Sequence, residues 1–178
     1  MLERNRIMST KKLVVTALCL ALSVVLPMAF HAIPNAGSIL LPMHLPVLLC
    51  GLTSGPVYGL LCGVLAPALS ALLTGMPRVP YLFTMMFELA AYGLIAGLFI
   101  KNCKNRQSIV NVYASLIGAM LAGRVVYGLM NALIFQAGNY SLSVWITASF
   151  ITAFPGIVLQ LIVLPALVRV LQKIGMIE

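Results

Sequence analysis

Two residues of opposite charge, Glu88 and Arg124, stand within long apolar stretches of this sequence. Only three acidic residues occur among 178, and 8% of the chain is charged. An ionised side chain in hydrocarbon costs about 3 kcal/mol on insertion scales, so it generally faces a cavity or a partner. The two residues therefore either pair and fix helix register, or line a polar cavity. In such a cavity an arginine would suit a carboxylate or a phosphate, which it holds by two parallel hydrogen bonds.

Further polar side chains share helical faces with these two residues. Tyr127 and Asn131 follow Arg124 by three and seven residues, and Tyr81 precedes Glu88 by seven. Residues at these spacings lie on one side of a helix. If both faces point inward, an acid, a guanidinium, an amide and phenols converge.

His44 lies between two prolines in the run Leu-Pro-Met-His-Leu-Pro at 41–46. Closely spaced prolines distort a membrane helix and free backbone carbonyls, which neighbours or a cavity must satisfy. His44 could bind a solute or cap such a carbonyl, and the residues leave both alternatives open.

The elements that must position these residues are membrane spans. The chain is 62% apolar, with a mean hydropathy of +1.09, which excludes an ordinary soluble domain. At about 20 residues per span, its length fits six helices in one integral membrane domain over residues 1–178. The predicted spans are 13–32, 39–53, 56–73, 81–100, 109–135 and 144–170.

The basic residues indicate the orientation of these spans. They cluster at 4–12, 101–106 and 169–173, beside the ends of alternate spans. Because loops rich in Lys and Arg stay in the cytoplasm, both termini are predicted to lie inside. The formal charge of +8 therefore indicates topology rather than nucleic-acid binding.

The sequence contains no recognisable catalytic or metal-binding signature. It has no phosphate-binding loop of the G-x-x-x-x-G-K-[ST] type, so the chain is not expected to hydrolyse ATP itself. It also lacks the common hydrolase and metalloprotease motifs. Its four cysteines show no C-x-x-C pairing. Neither an enzyme, nor a cofactor, nor a metal site is predicted.

Small residues recur at every fourth position in three stretches, a spacing that lets membrane helices approach closely. The stretches are 51–63 with four glycines, Gly93 with Gly97, and Ala17 with Ala21. These faces either pack within the chain or dock a partner membrane protein. Ala17 and Ala21 are the best candidates for a partner.

Three stretches have the character of a known family: Leu-Leu-Pro-Met-His-Leu-Pro-Val-Leu-Leu-Cys-Gly at 40–51, Leu-Thr-Gly-Met-Pro at 73–77 and Phe-Glu-Leu-Ala-Ala-Tyr-Gly at 87–93. With them, this small, basic, six-helix chain resembles the substrate-binding S components of energy-coupling factor (ECF) vitamin transporters. The likeness covers nearly the whole chain.

The resemblance implies a subunit of the prokaryotic plasma membrane that binds a vitamin near the outer face and carries it inward. It implies association with a transmembrane T component, at Ala17 and Ala21, and with two cytoplasmic ATPases. The implied site lies in the loops after the first and third spans and the outer parts of the last three helices. With His44 added from its own context, the candidate substrate-binding residues are Asn35, His44, Arg78, Tyr81, Glu88, Arg124, Tyr127 and Asn131.

The two arginines among these candidates favour an anionic vitamin, and pantothenate is the first choice. Its carboxylate, hydroxyls and amide would suit an arginine, an asparagine and a tyrosine. Cobalamin, niacin and a pyridoxine-like ring are the alternatives. A non-transporting membrane scaffold, in which the polar residues merely pair, is the competing function of another class.

Overall fold

The computed structural model describes residues 2–30, 33–79, 81–103, 108–136 and 140–174, with residues 2–9 and 135 described by their backbone alone. Every regular element within these ranges is helical. The α-helices are α1 (Leu2–Ala29), α2 (Ala36–Leu40), α3 (His44–Ser54), α4 (Pro56–Thr74), α5 (Tyr81–Asn102), α6 (Ile109–Met130), α7 (Leu142–Ile146) and α8 (Phe154–Lys173). Two π-helical segments, Asn131–Phe135 and Thr147–Thr152, follow α6 and α7.

Six helical segments in the described ranges are long and apolar enough to cross a membrane, which confirms the predicted fold class. They are Thr10–Ala29, Ala36–Ser54, Pro56–Thr74, Tyr81–Asn102, Ile109–Ile134 and Phe154–Lys173. Of the basic residues that predicted the orientation, the side chains at positions 4, 6, 104 and 106 lie outside the described residues. The orientation itself stays a prediction.

The second and sixth spans differ from their predicted bounds. The second, predicted at 39–53, is interrupted, because Leu41 is left-handed (φ 51°) and α3 begins only at His44. The sixth, predicted at 144–170, is divided: α7 and its π-helical continuation end before α8 begins at Phe154. Pro155 explains the second break, since a proline fits the first turn of a helix but cannot continue one.

Glycines bring α4 and α5 into backbone contact. A Cβ atom added at Gly59 or at Gly93 would collide with the backbone of the other, and one at Gly63 would collide with the backbone of Leu89. Gly97 is packed in the same way against Pro56. These glycines therefore serve packing within the chain. In the same 51–63 stretch, Gly51 also packs against the backbone of Gly93, whereas Gly55 has φ 102° and forms the turn between α3 and α4.

Helix α1 lies at the periphery of the bundle. In the most apolar 18-residue stretch of Thr10–Ala29, only 17% of the residues are buried, compared with 61% in that of Ala36–Ser54. Thr16 and Cys19 on one face are buried, and Thr16 accepts a weak hydrogen bond from the thiol of Cys50 on α3. Ala17 and Ala21 lie on the opposite face, which is exposed.

Candidate functional site

A buried ion pair joins α5 to α6. Arg124 Nη1 donates a hydrogen bond of 2.9 Å to Glu88 Oε1, and the two residues are 5% and 3% exposed. Glu88 stands seven residues, or about 10 Å, along α5 from Tyr81, at 1.5 Å per residue. The pair therefore lies in the half of the bundle where α5 begins and α6 ends. This half is called the predicted outer half below.

His44 is the third member of this cluster. Its Nε2 lies 3.5 Å from Glu88 Oε1, and its ring meets Tyr92 edge-on at 5.1 Å between centroids. Neither imidazole nitrogen has a hydrogen-bond partner within the described part of the chain. The carbonyl of Leu41 accepts instead from the His44 backbone N–H at 3.1 Å and from Gln160 Nε2 at 3.5 Å. The His44 side chain is therefore not the cap of that carbonyl.

One edge of the Arg124 guanidinium is unused. Glu88 takes Nη1, whereas Nε and Nη2 are buried and have no hydrogen-bond partner among the residues described. These two nitrogens point the same way from a planar group, and they form the fork that holds a carboxylate by two parallel bonds. Buried donors without partners are rare in folded proteins and call for an explanation.

The backbone of Arg124 is held by Trp145. The indole Nε1 donates a hydrogen bond of 2.9 Å to Arg124 O. A glycine makes this possible, because a Cβ atom at Gly128 would lie 2.6 Å from the indole nitrogen. The polar atom of the Trp145 side chain is thus paired with α6.

Tyr140 lies within electrostatic reach of the ion pair. Burial and the Glu88 carboxylate raise the pKa of its phenol, and Arg124 opposes that shift. Its hydroxyl is buried and has no hydrogen-bond partner in the described ranges. Tyr140 therefore lies beside the predicted outer half of the site.

An apolar groove of about 310 Å³ lies beside Tyr140. It runs between α6 and the segment that leads into α7, and Tyr140 and Trp145 form part of its wall. The lining residues are Val125, Gly128, Leu129, Ala132, Tyr140, Ser141, Leu142 and Trp145. One of these lining residues, Trp145, is also hydrogen-bonded to the backbone of Arg124, so the groove lies close to the buried cluster.

Additional buried polar groups lie on the helices that surround the cluster. Thr84 stands one turn before Glu88 on α5, and Ser149 lies in the π-helical segment after α7. Both hydroxyls, and Gln160 Oε1, are buried without a hydrogen-bond partner in the portion of the chain described here. Gly156 lets α8 approach α2, because a Cβ atom there would meet Ile39 O at 2.7 Å.

The other predicted site residues are placed differently. Asn131 is buried, and its amide donates to Tyr127 O at 2.9 Å. Tyr127 itself is half-buried, while Asn35, Arg78 and Tyr81 are exposed. No hydrogen bond or ion pair between described residues joins Asn35, Arg78 or Tyr81 to the buried cluster. Their part in binding stays a prediction.

A comparison with family profiles identifies the chain. The profile described as "ECF transporter, substrate-specific component" matches residues 11–168. The chain belongs to this family. It is therefore a multi-pass membrane protein and the substrate-binding subunit, or S component, of an ECF transporter. Neither the curated proteins nor the solved structures give a match to this S component.

Membership implies a small-molecule substrate and T and ATPase partners. Among the residues that the structure describes, no group of three His, Cys, Asp or Glu side chains could hold a metal ion.

Sequence reasoning missed several members of the site. Gln160 had a usable signal, as an uncharged amide alone in the apolar run of α8. Tyr92 stands four residues after Glu88 on α5, but it was not among the predicted binding residues. Trp145 and Ser149 could not be found, because α7 was predicted to be part of a continuous span.

Proposed function

We propose that this S component captures a water-soluble vitamin that carries a carboxylate, pantothenate in the first place. The supporting observation is the free edge of Arg124, where two buried donors have no hydrogen-bond partner among the described residues. The vitamin's carboxylate would bind Nε and Nη2 while Glu88 keeps Nη1. Niacin would offer the same kind of carboxylate on a smaller, aromatic molecule, whereas cobalamin and a pyridoxine-like vitamin would not use this edge in the same way.

The segment from Tyr140 to Thr152 is the proposed cover of the site. Trp145 and Tyr140 line the apolar groove, and Trp145 is also hydrogen-bonded to the backbone of Arg124 in the buried cluster. One π-helical segment, Asn131–Phe135, precedes this region and a second, Thr147–Thr152, forms its last part; such segments are frequent at functional sites. We propose that the vitamin enters from the predicted extracellular side when this segment moves, and that the complex carries it to the cytoplasm of a prokaryotic cell.

Native mass spectrometry of the protein purified in mild detergent tests this function. We expect one retained or added vitamin molecule per chain, with a mass that identifies it. Pantothenate or nicotinate binding at a ratio of one would support the proposal. Retention of a vitamin that has no carboxylate would contradict the anion assignment, and binding of no vitamin would favour the scaffold function.

We further propose that the exposed face of α1 docks the T component, with two ATPases bound on the cytoplasmic side. Ala17 and Ala21 are exposed, whereas the glycines of α4 and α5 are used within the chain. Close approach of helix backbones in a membrane needs small residues at the contact. Among the small-residue pairs, Ala17 and Ala21 are thus the pair open to a partner.

Replacing both Ala17 and Ala21 by leucine should abolish copurification with the T component while leaving vitamin binding unchanged. The added side chains would hold the partner helix away, and they lie on the far side of α1 from its buried face. Ala114→Leu is the matched control, because Ala114 is an exposed alanine on α6. Pull-down of the four-subunit complex measures the effect. Normal copurification of the double variant, or equal loss in the control, would contradict the assignment.

A further inference from the structure

The charges of the buried cluster balance before any anion binds. Glu88 carries one negative charge and Arg124 one positive charge, and they pair at 2.9 Å. A carboxylate on the free edge of Arg124 would leave two negative charges against one positive charge. An uncompensated charge in a buried site is strongly unfavourable, so a further positive charge is needed.

His44 is placed to supply that charge. Its Nε2 lies 3.5 Å from Glu88 Oε1, and the residue is 2% exposed. Both ring nitrogens lack a hydrogen-bond partner among the residues described, so a proton on either of them displaces no existing bond. Histidine is the side chain that most readily gains a proton near neutral pH.

Among the residues that the structure describes, the other groups around His44 do not offer a second source of positive charge. Glu88 and Tyr92 on α5 face the His44 ring. Arg124 and Tyr127 are the charged and titratable groups on the neighbouring part of α6. Tyr140 comes from the cover, and Gln160 on α8 is a neutral amide. The thiols of Cys19, Cys50 and Cys62 belong to the apolar core on α1, α3 and α4. Phenols and thiols can lose a proton but do not become cationic.

We propose that the vitamin anion binds together with one proton, which His44 takes from the surrounding water. The proposal rests on the function proposed above and adds its regulation. The protonated imidazole would donate to Glu88, and the loaded cluster would then carry two negative and two positive charges. Release of the vitamin on the cytoplasmic side would return the proton to water.

Isothermal titration calorimetry in buffers of different ionisation enthalpy measures the number of protons taken up. The probes are pantothenate and nicotinate, with panthenol and nicotinamide as neutral counterparts that lack the carboxylate. We expect one proton per bound acid and none per bound neutral analogue. Affinity for the acid should fall by up to about tenfold per pH unit as the pH rises through the range of proton uptake.

Two variants separate charge balance from a purely structural role of His44. His44→Gln should bind the acid more weakly and without proton uptake. Glu88→Gln removes the negative charge that the proton offsets, so it should also bind without proton uptake, but more tightly than the native protein at pH 8. A structural role for His44 would lower affinity equally at every pH and leave the proton number of the variant at one.

The experiments distinguish a failure of the proton coupling from a failure of the proposed function. Binding of pantothenate or nicotinate to the native protein without proton uptake would overturn the proton coupling and leave the proposed function in place. Binding of neither acid, with retention of a neutral vitamin, would overturn both. Proton uptake that persists in His44→Gln would assign the proton to another group and overturn the role of His44.

Discussion

Replacing Arg124 by methionine should weaken the binding of pantothenate or nicotinate by at least about 100-fold, because each hydrogen bond to a charged group contributes about 1.5–3 kcal/mol. The change removes both free donors, Nε and Nη2, which are buried and have no hydrogen-bond partner among the described residues. The chain's single tryptophan, Trp145, gives the readout. Its indole is bonded to the backbone of Arg124, so its fluorescence should respond to the ligand.

The single variant also leaves Glu88 buried and unpaired, and loss of one partner of a buried ion pair costs about 3–5 kcal/mol. The double variant Glu88→Gln with Arg124→Met removes both charges, so it should recover most of the thermal stability while it still fails to bind. Arg169→Met, at an exposed arginine near the end of α8, is the matched control and should bind normally. If the double variant bound the acid like the native protein, Arg124 would only fix the packing of α5 against α6.

Replacing Gly93 by valine should prevent formation of a stable bundle. A side chain there meets the carbonyl oxygen, the carbonyl carbon and the Cα atom of Gly59. These backbone atoms cannot move aside as a flexible side chain can. Overpacking of this kind costs about 1–3 kcal/mol and sometimes more. Because α5 also carries Glu88, vitamin binding should be lost together with folding. Thermal unfolding in detergent and monodispersity on a sizing column measure the effect.

Gly118→Ala is the control for this substitution. Gly118 also lies within a spanning helix, but an added Cβ atom would meet only the ring of Phe99, at 3.2 Å. The change should therefore leave the unfolding temperature close to that of the native protein. Gly59→Ala and Gly93→Ala should each destabilise the protein, and together by less than the sum, because one separation of the helices relieves both collisions. Full additivity would show that the two glycines do not share a contact.

The spans of this chain could be predicted well because their signal is local. Apolar length and proline-glycine breaks identify six crossings, and this agrees with the structure apart from the interruption at Leu41 and the division before Phe154. Both exceptions lie at prolines, where hydropathy alone does not say whether a helix bends or stops. Pro155 starts a new helix, whereas Pro165 stands inside α8.

The site was harder to predict because it depends on contacts between distant residues. Glu88 and Arg124 stand out as charges in apolar runs, and the structure pairs them. The sequence could not show that Glu88 occupies only one nitrogen of Arg124 and leaves an edge free. It also could not place Trp145 on the Arg124 carbonyl, since that bond depends on the direction of α7 and on the space above Gly128.

The glycine and alanine stretches illustrate the same limit. Gly59, Gly93 and Ala17 each belong to a repeat of small residues at every fourth position. Such a repeat is equally suited to contacts within the chain and to contacts with a partner. Only the fold separates them, because it buries the glycines against each other and leaves Ala17 and Ala21 exposed. A repeat of small residues predicts close packing, but it does not predict what packs there.

The central claim is that the free edge of Arg124 binds the vitamin, and an experimental structure of the loaded protein tests it most directly. We expect a carboxylate with one oxygen within about 3 Å of Nε and the other within about 3 Å of Nη2, while Glu88 remains on Nη1. A vitamin bound elsewhere, for example in the groove beside α6, with both nitrogens still unoccupied, would contradict the claim.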